Sequence, residues 1–434
     1  MKSDKFTVTG TGDSLFVADF PRAYDMAIRP VSLLIQSCDL KLTNLETNLA
    51  DFDTFGNAYS GGTWLCTRRK LLPELMRFGF NFFGTANNHA MDYSYAGLMS
   101  TIETLDARGL AHAGTGRSLE EAARPAIVKS GGCRSAVFAV DASMHDASRA
   151  GRATKKIPAR PGVNFLRHRT LRRVDASDIE MLKGIAQKTL LNSYRDRMIA
   201  TGYANPDPDG IYHFGGNDFT TDPDAPETSC DVRDKARLLD AVRAARAECD
   251  YVFILVHCHD DDGVRMENPP AYLIEFAHAC VDAGVSAVFG GGCHRLRGIE
   301  LYHGVPIFYS LGDFIYQGLR VEHLPADFME KYDIDIFSTA AQALLARSRG
   351  NTVGLHCEKC NYQSVLPRLE FSGGKLTGFS MLPLDLNFSR KDHMNGLPTA
   401  AQGSEAAAIC ELVDSLSAPF GTRFKLDGGM IVPA

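Results

Sequence analysis

Phe80-Asn81-Phe82-Phe83-Gly84-Thr85-Ala86-Asn87-Asn88-His89 passes from an apolar run directly into two amides and an imidazole. The run reads as a short buried strand, and no surface-type spacer separates it from the polar end. In α/β proteins, chemistry gathers outside the carboxyl ends of sheet strands. Taken alone, Asn87-Asn88-His89 reads as well as a polar turn as it does a binding edge. The rest of the chain decides between the two.

Outward from this stretch, strands and helices alternate. Phe6-Thr7-Val8-Thr9 is a strand ending at Gly10-Thr11-Gly12-Asp13. Helical spacing follows around Ile28–Ser37, then a strand Asp39–Thr43 ending in Asn44-Leu45-Glu46. A helix over Lys70–Phe78 stops at Gly79, and one over Tyr95–Arg108 stops at Gly109, glycine being a common helix terminator. Strands at Ala126–Val128 and Ser135–Val140 come next. A helix over Val232–Cys249 leads to the apolar Tyr251–Val256, which ends in His257-Cys258-His259-Asp260-Asp261-Asp262. A further helix reaches Ala283, and Ser286–Phe289 ends in Gly290-Gly291-Gly292-Cys293-His294. Gly298–Tyr302 and Val305–Ser310 form a hairpin across His303-Gly304. Residues 314–361 give no clear pattern. This alternation predicts an α/β layered fold, taken as one domain over 1–434. Residues 141–230, proline- and turn-rich, read as an insertion or lid. Residues 365–434 read as C-terminal β-strands and a helix packing on the core.

Composition narrows the function classes. The chain has 434 residues, 45% hydrophobic and 23% charged, with formal net charge −6. No basic run marks a nucleic-acid or anionic-membrane partner. No apolar stretch approaches the roughly 18–20 residues of a spanning helix. Met1-Lys2-Ser3-Asp4-Lys5-Phe6 lacks the apolar core of a signal peptide. The 11 cysteines, with no export signal, read as reduced thiols. A cytoplasmic protein is expected, with its oligomeric state left open.

Five strand ends carry metal-competent groups: Asp13, Glu46, Asn88 with His89, His257, and His294. Each alone has an ordinary reading, as a helix cap, turn residue or structural histidine. In a parallel sheet such ends lie along one edge, so their coincidence predicts a converging site. Carboxylate, amide and imidazole donors together suit Mn, Zn or Fe as divalent ions. A metal that activates water removes the need for a serine or cysteine nucleophile.

Asn87-Asn88-His89-Ala90-Met91-Asp92-Tyr93 resembles a motif of the CapA-type capsule (poly-γ-glutamate) synthesis family. So do Gly12-Asp13, Asn44-Leu45-Glu46, and Gly298-Ile299-Glu300 followed by Ile307-Phe308-Tyr309-Ser310-Leu311-Gly312-Asp313-Phe314. The resemblance spans about residues 6–317. It implies a four-layer α/β/β/α sandwich of the calcineurin-like metallophosphoesterase type, holding one or two divalent metal ions. Asp13 would bind one metal and Glu46 would bridge. Asn88 and His257 would bind the second, and His294 would close the terminal metal motif. His89 would be the outer acid, and both His89 and His294 are candidate catalytic groups. The chain departs from the family at Gly291, where a histidine is usual, at Leu15, also a histidine in the phosphoesterases, and at Asp313, usually asparagine. The Gly291 position is therefore expected to bind its ion more weakly, with His259, Cys293 or Asp260–Asp262 as substitute ligands.

Arg295, His259 and Trp64 are candidate substrate-binding residues, and Arg297 a candidate for a solvated arginine. Cys357-Glu358-Lys359-Cys360 has half-zinc-site spacing without a second pair. The expected function is a metal-dependent hydrolase of a γ-glutamyl or peptide-like amide, or of a phosphate ester. The alternatives are a metal-assisted peptide epimerase in natural-product biosynthesis and a non-catalytic subunit of poly-γ-glutamate synthesis. The partner is a small-molecule or peptide-like substrate, with no nucleic acid and no membrane segment.

Overall fold

A computed structural model describes residues 5–434; the leader reading over residues 1–4 lies outside the described residues. The chain is a mixed α/β protein with two large sheets. In the ten-stranded sheet, Phe6–Leu15, Leu40–Leu45, Phe82–Gly84 and Ala111–Ala113 are neighbours in that order and run parallel. On the other side of Phe6–Leu15 the sheet continues antiparallel through Gln363–Ser372 and Lys375–Asp385 to Met430–Pro433 and Phe424–Asp427. The six-stranded sheet has the order Ile299–Tyr302, Val305–Phe308, Ala287–Gly292, Tyr251–Cys258, Cys133–Asp141, Ala126–Ser130.

Side-chain alternation along the short strand Phe82–Gly84 shows how the sheets are covered. Successive strand residues face opposite ways. Phe82 joins an apolar cluster that also holds Phe6, Leu42, Ala139, Phe253, Leu255 and Phe289, residues from both sheets. Phe80 and Phe83 join a second cluster with Val31 and Ile35 of the helix Arg29–Gln36 and Leu72 and Leu75 of the helix Leu72–Met76. A third cluster sets Phe138, Val252 and Ile254 of the smaller sheet against the helices Val232–Glu248 and Ala271–Asp282. Burying each of these large side chains contributes roughly 1.5–3 kcal/mol.

Two sequence expectations are corrected. The polar strand ends do not share one sheet edge. Asp13, Glu46, Asn88 and His89 belong to the larger sheet, and His257 and His294 to the smaller one. The apolar cluster between the sheets sets their ends beside each other. Asp13 also lies within its strand, which runs on to Leu15. The register breaks between Gly10 and Asp13, and Asp13 then stands between Asn44 on one neighbour and Asp313 on the other. Gly12 permits this crowding, because a Cβ there would lie 1.7 Å from the Gly312 carbonyl oxygen.

The segment 314–361, unreadable from sequence, supplies the strand Asp313–Tyr316 and the helices Ala326–Lys331 and Ala340–Arg347. Residues 141–230 form a separate four-stranded sheet, ordered Ile211–Phe214, Asn217–Thr220, His168–Arg173, Thr228–Cys230, with helices Ala176–Thr189 and Ser193–Ala200. The hairpin turns at His303 (φ 50°) and Gly304 (φ 79°), the backbone sign that two-residue hairpin turns favour. In the C-terminal part, the helix Gly403–Ser417 sends Ile409 and Val413 into the cluster between the sheets.

Candidate metal centre

Glu46 stands directly after its strand, its backbone N–H bound to the Ser14 carbonyl. Its side chain is fully buried, and neither carboxylate oxygen has a hydrogen-bond partner. Burial and the neighbouring carboxylates Asp13, Asp313, Asp141 and Asp92 push its carboxyl well above the usual range. A buried carboxylate without donors is costly unless a cation compensates it. Two sets of donor atoms meet at this residue. Asp13, Glu46 and His257 form one, and Glu46, His259 and His294 the other, with the ligand-competent atoms of each set within 4.8 Å of one another.

Each donor is held by its neighbours. The Asp13 Oδ1 accepts from Asn44 Nδ2 at 2.6 Å, and Oδ2 accepts from the Gly292 N–H at 2.5 Å. Burial works to raise the Asp13 carboxyl, but the charge of His257 and the hydrogen bonds from His257 and Asn44 outweigh it and hold it low. His257 Nδ1 lies 3.5 Å from Asp13 Oδ1. On its other side Nε2 lies 2.8 Å from Asn88 Oδ1, 3.2 Å from His259 Nε2 and 3.5 Å from Glu46 Oε1. Asn88 Nδ2 donates to the Gly61 carbonyl, which aims its oxygen at His257. Burial, with the charges of His257 and His294, pushes His259 well below its ordinary value, so its lone pair is available. Burial opposes the charge on His294, but Asp313 outweighs it and raises that imidazole. The bond is 3.0 Å between His294 Nδ1 and Asp313 Oδ1, which leaves Nε2 for the centre. His294 sits in left-handed backbone at φ 61°.

His89 stands apart from the donor sets. Its Nδ1 is 2.6 Å from Asp92 Oδ2, and its Nε2 is 3.8 Å from Glu46 Oε1. Asp92 also accepts the N–H groups of Gly61 and Leu65, so it fixes both the imidazole and the facing loop. His89, His259 and His294 line a cavity of about 420 Å³, closed by Thr63, Tyr316 and Arg347 among others. A second cavity, about 410 Å³, lies on the other side of His259 and is walled by His168, Thr170 and Arg172 of the 141–230 segment.

The remaining candidates lie as follows. Arg295 donates to Glu267 at 2.9 Å and to Glu358 at 2.6 Å, and does not line the cavity beside His89. Trp64 is buried, with its indole N–H on the Asn57 carbonyl, while its neighbours Thr63 and Leu65 line that cavity. Arg297 is not solvated; it is fully buried and donates to the carbonyls of Met266 and Asp260. Cys357 and Cys360 join no metal-competent group among the described residues. Sequence reading missed Asn44, Asp92, Asp141 and Asp313 as supports. Asn44, Asp92 and Asp313 stand in the quoted motifs without being assigned these roles, and Asp141 left no signal.

Gly291 explains the absent histidine physically. A Cβ at this position would sit 2.5 Å from Asp13 Oδ1. With the Asp13 carboxylate tied to Gly292, a side chain there would have to displace it, and His259 is the imidazole beside His257 instead.

The profile of the bacterial capsule synthesis protein PGA_cap matches residues 7–318, a span that includes every one of these donors. The uncharacterized protein y4sH of Sinorhizobium fredii is 31% identical over 435 residues, covering 98% of this chain and 92% of the relative. A probable polyglutamine synthesis accessory protein of Mycobacterium tuberculosis is 24% identical over 65% of this chain and 57% of its own length. PGA biosynthesis protein CapA of Bacillus subtilis is 24% identical over 58% of this chain and 47% of its own length. With nearly three-quarters of its residues inside the profile, the chain belongs to the bacterial capsule synthesis protein PGA_cap family, the CapA type.

Proposed function

We propose that this protein is a metal-dependent hydrolase acting on a γ-glutamyl or other peptide-like amide, or on a phosphate ester. The observation that carries the reading is Glu46, a fully buried carboxylate with no hydrogen-bond partner, shared by two donor sets. The residues fit one or two divalent ions, with Asp13 and His257 beside Glu46 in one position and His259 and His294 beside it in the other. Mixed oxygen and imidazole donors favour Mn, Zn or Fe. A bound ion there supplies Lewis acidity and activates water for attack. Asn88 adds an amide oxygen next to His257. His89, oriented by Asp92 and facing the cavity, gives a proton to the leaving group. Helices outside each sheet and an apolar cluster between them support a four-layer α/β/β/α sandwich of the metallophosphoesterase type. The 141–230 segment, whose strand His168–Arg173 walls a cavity at His259, is read as the cover of the site. The names of the relatives support a glutamyl polymer or its fragments over a nucleotide as substrate class.

The test combines metal analysis with turnover. The dialysed protein is expected to retain one tightly held divalent ion, with a second binding more weakly because Gly291 contributes no side chain. Added Mn²⁺ should support hydrolysis of a γ-glutamyl anilide or of p-nitrophenyl phosphates, and Asp13→Ala or His257→Ala should abolish it. No turnover with any divalent ion, with no metal retained by the unaltered chain, overturns the reading.

A further inference from the structure

A larger cavity, about 770 Å³, adjoins the metal centre across a single side chain, Tyr316. The Tyr316 ring lines both cavities, with its centroid 6.2 Å from that of His294. Apart from Tyr316 and Gln317, the walls come from residues 319–395, beyond the family profile that ends at 318. This space is therefore built by the part of the chain that the family pattern does not describe.

Its chemistry is cationic. Arg320, Arg390 and Lys391 face Asp392 as the sole carboxylate of the wall, a formal sum of +3 − 1 = +2 before the histidines are counted. Arg390 is matched by Asp392. Lys391 is exposed and makes no ion pair among the described residues. Arg320 sends one guanidinium nitrogen to His393 Nδ1 at 2.8 Å, and its nearest carboxylate, on the exposed Asp19, is 3.9 Å away. His356 is a second unmatched group: it is only 9% exposed, and neither ring nitrogen has a hydrogen-bond partner. Both ring nitrogens are sealed from the surface, so His356 packs behind the wall and the donors open to the cavity are those of Arg320 and Lys391. Tyr362 and Phe388 supply apolar faces beside them.

We propose that this cavity is a binding subsite for an anionic ligand, a carboxylate or phosphate group held by Arg320 and Lys391. Guanidinium and ammonium groups bind such oxyanions by charge-assisted hydrogen bonds. The site is separate from the metal donors, so it stands whether or not the hydrolase reading does.

Titration calorimetry of the full chain tests it, with inorganic phosphate in one arm and a tetraglutamate peptide in the other. At least one probe should bind saturably, and binding should weaken as salt rises. Asp13→Ala, which disables the metal centre, should leave that binding unchanged. Arg320→Ala should weaken it at least tenfold, and Lys391→Glu, at an exposed position that cannot unfold the protein, should do the same. Binding of phosphate alone assigns a phosphate group, and binding of the peptide alone assigns carboxylates. Absence of binding by both probes, or binding lost in Asp13→Ala and kept in Lys391→Glu, overturns the proposal.

Discussion

His89 and Asp92 show how much one residue pair can decide. The Asp92 carboxylate holds His89 Nδ1 at 2.6 Å, so Nε2 is the atom presented to the cavity. His89→Gln should therefore lower turnover by about 10²–10⁴-fold, the ordinary contribution of a general acid, while metal content by plasma emission analysis stays unchanged. A parallel loss of metal would make His89 a ligand instead. Asp141 makes a different prediction. It stands opposite His257 in the register of its sheet, accepts the Ser143 N–H with one oxygen, and leaves the other unpartnered. Burial raises its carboxyl to about 6 from 3.8. A raised carboxyl adds no cost below about pH 4, where folded and unfolded chains are both protonated. The cost grows as pH rises to about 6 and then stays constant. In the metal-free protein, Asp141→Asn should thus change from neutral at pH 4 to stabilising above pH 6, by up to about 3 kcal/mol at roughly 1.4 kcal/mol per pH unit. Thermal melts across that range check it, and a stability difference that does not vary with pH would refute it.

At the scale of elements, what could be read in sequence follows how local the cause is. The strand Tyr251–Cys258 and the helix Val232–Glu248 were legible because burial pattern and capping act within a few residues. Asp231 accepts the N–H groups of Arg233 and Asp234 and so starts that helix. Asp231→Ala should cost about 1 kcal/mol, the usual worth of an N-cap, measurable by urea unfolding. The helix packs on the smaller sheet through Leu238 and Val242, so the loss is felt globally. By contrast, the strand Asp313–Tyr316 was hidden. It pairs with the far end of Phe6–Leu15, some 300 residues earlier, and only Gly12 lets the two backbones approach. The donor residues Asp13, Glu46, Asn88, His257 and His294 were legible as polar groups at or near strand ends. Asn44 and Asp313 stood in the quoted motifs, but their hold on Asp13 and His294 was not legible, because it depends on where the neighbouring strands are placed.

Across the whole molecule, the donors divide between the two sheets. Asp13 and Glu46 come from the ten-stranded sheet, while His257 lies near the end of a strand of the six-stranded one and His259 and His294 follow its strands. Sequence periodicity could not foresee this division, since it marks strands without saying which sheet takes them. The division has a thermodynamic consequence. An ion held by both donor sets ties the sheets together, and it binds only where both are in place, so its binding free energy adds to folding stability. It also compensates the Glu46 carboxylate, which among the described residues has no hydrogen-bond partner. The melting temperature should therefore climb with divalent-ion concentration, by the equivalent of about 2.7 kcal/mol at 100 times the dissociation constant. Chelation should reverse the gain. Glu46→Gln should abolish it, because the shared ligand is lost, while the metal-free form of that variant should melt no lower than the metal-free unaltered protein. Differential scanning calorimetry of both proteins, with and without Mn²⁺ or Zn²⁺, reads all four states. A melting temperature indifferent to every divalent ion would mean that the two sheets are joined by packing alone and that Glu46 stays buried as a neutral acid.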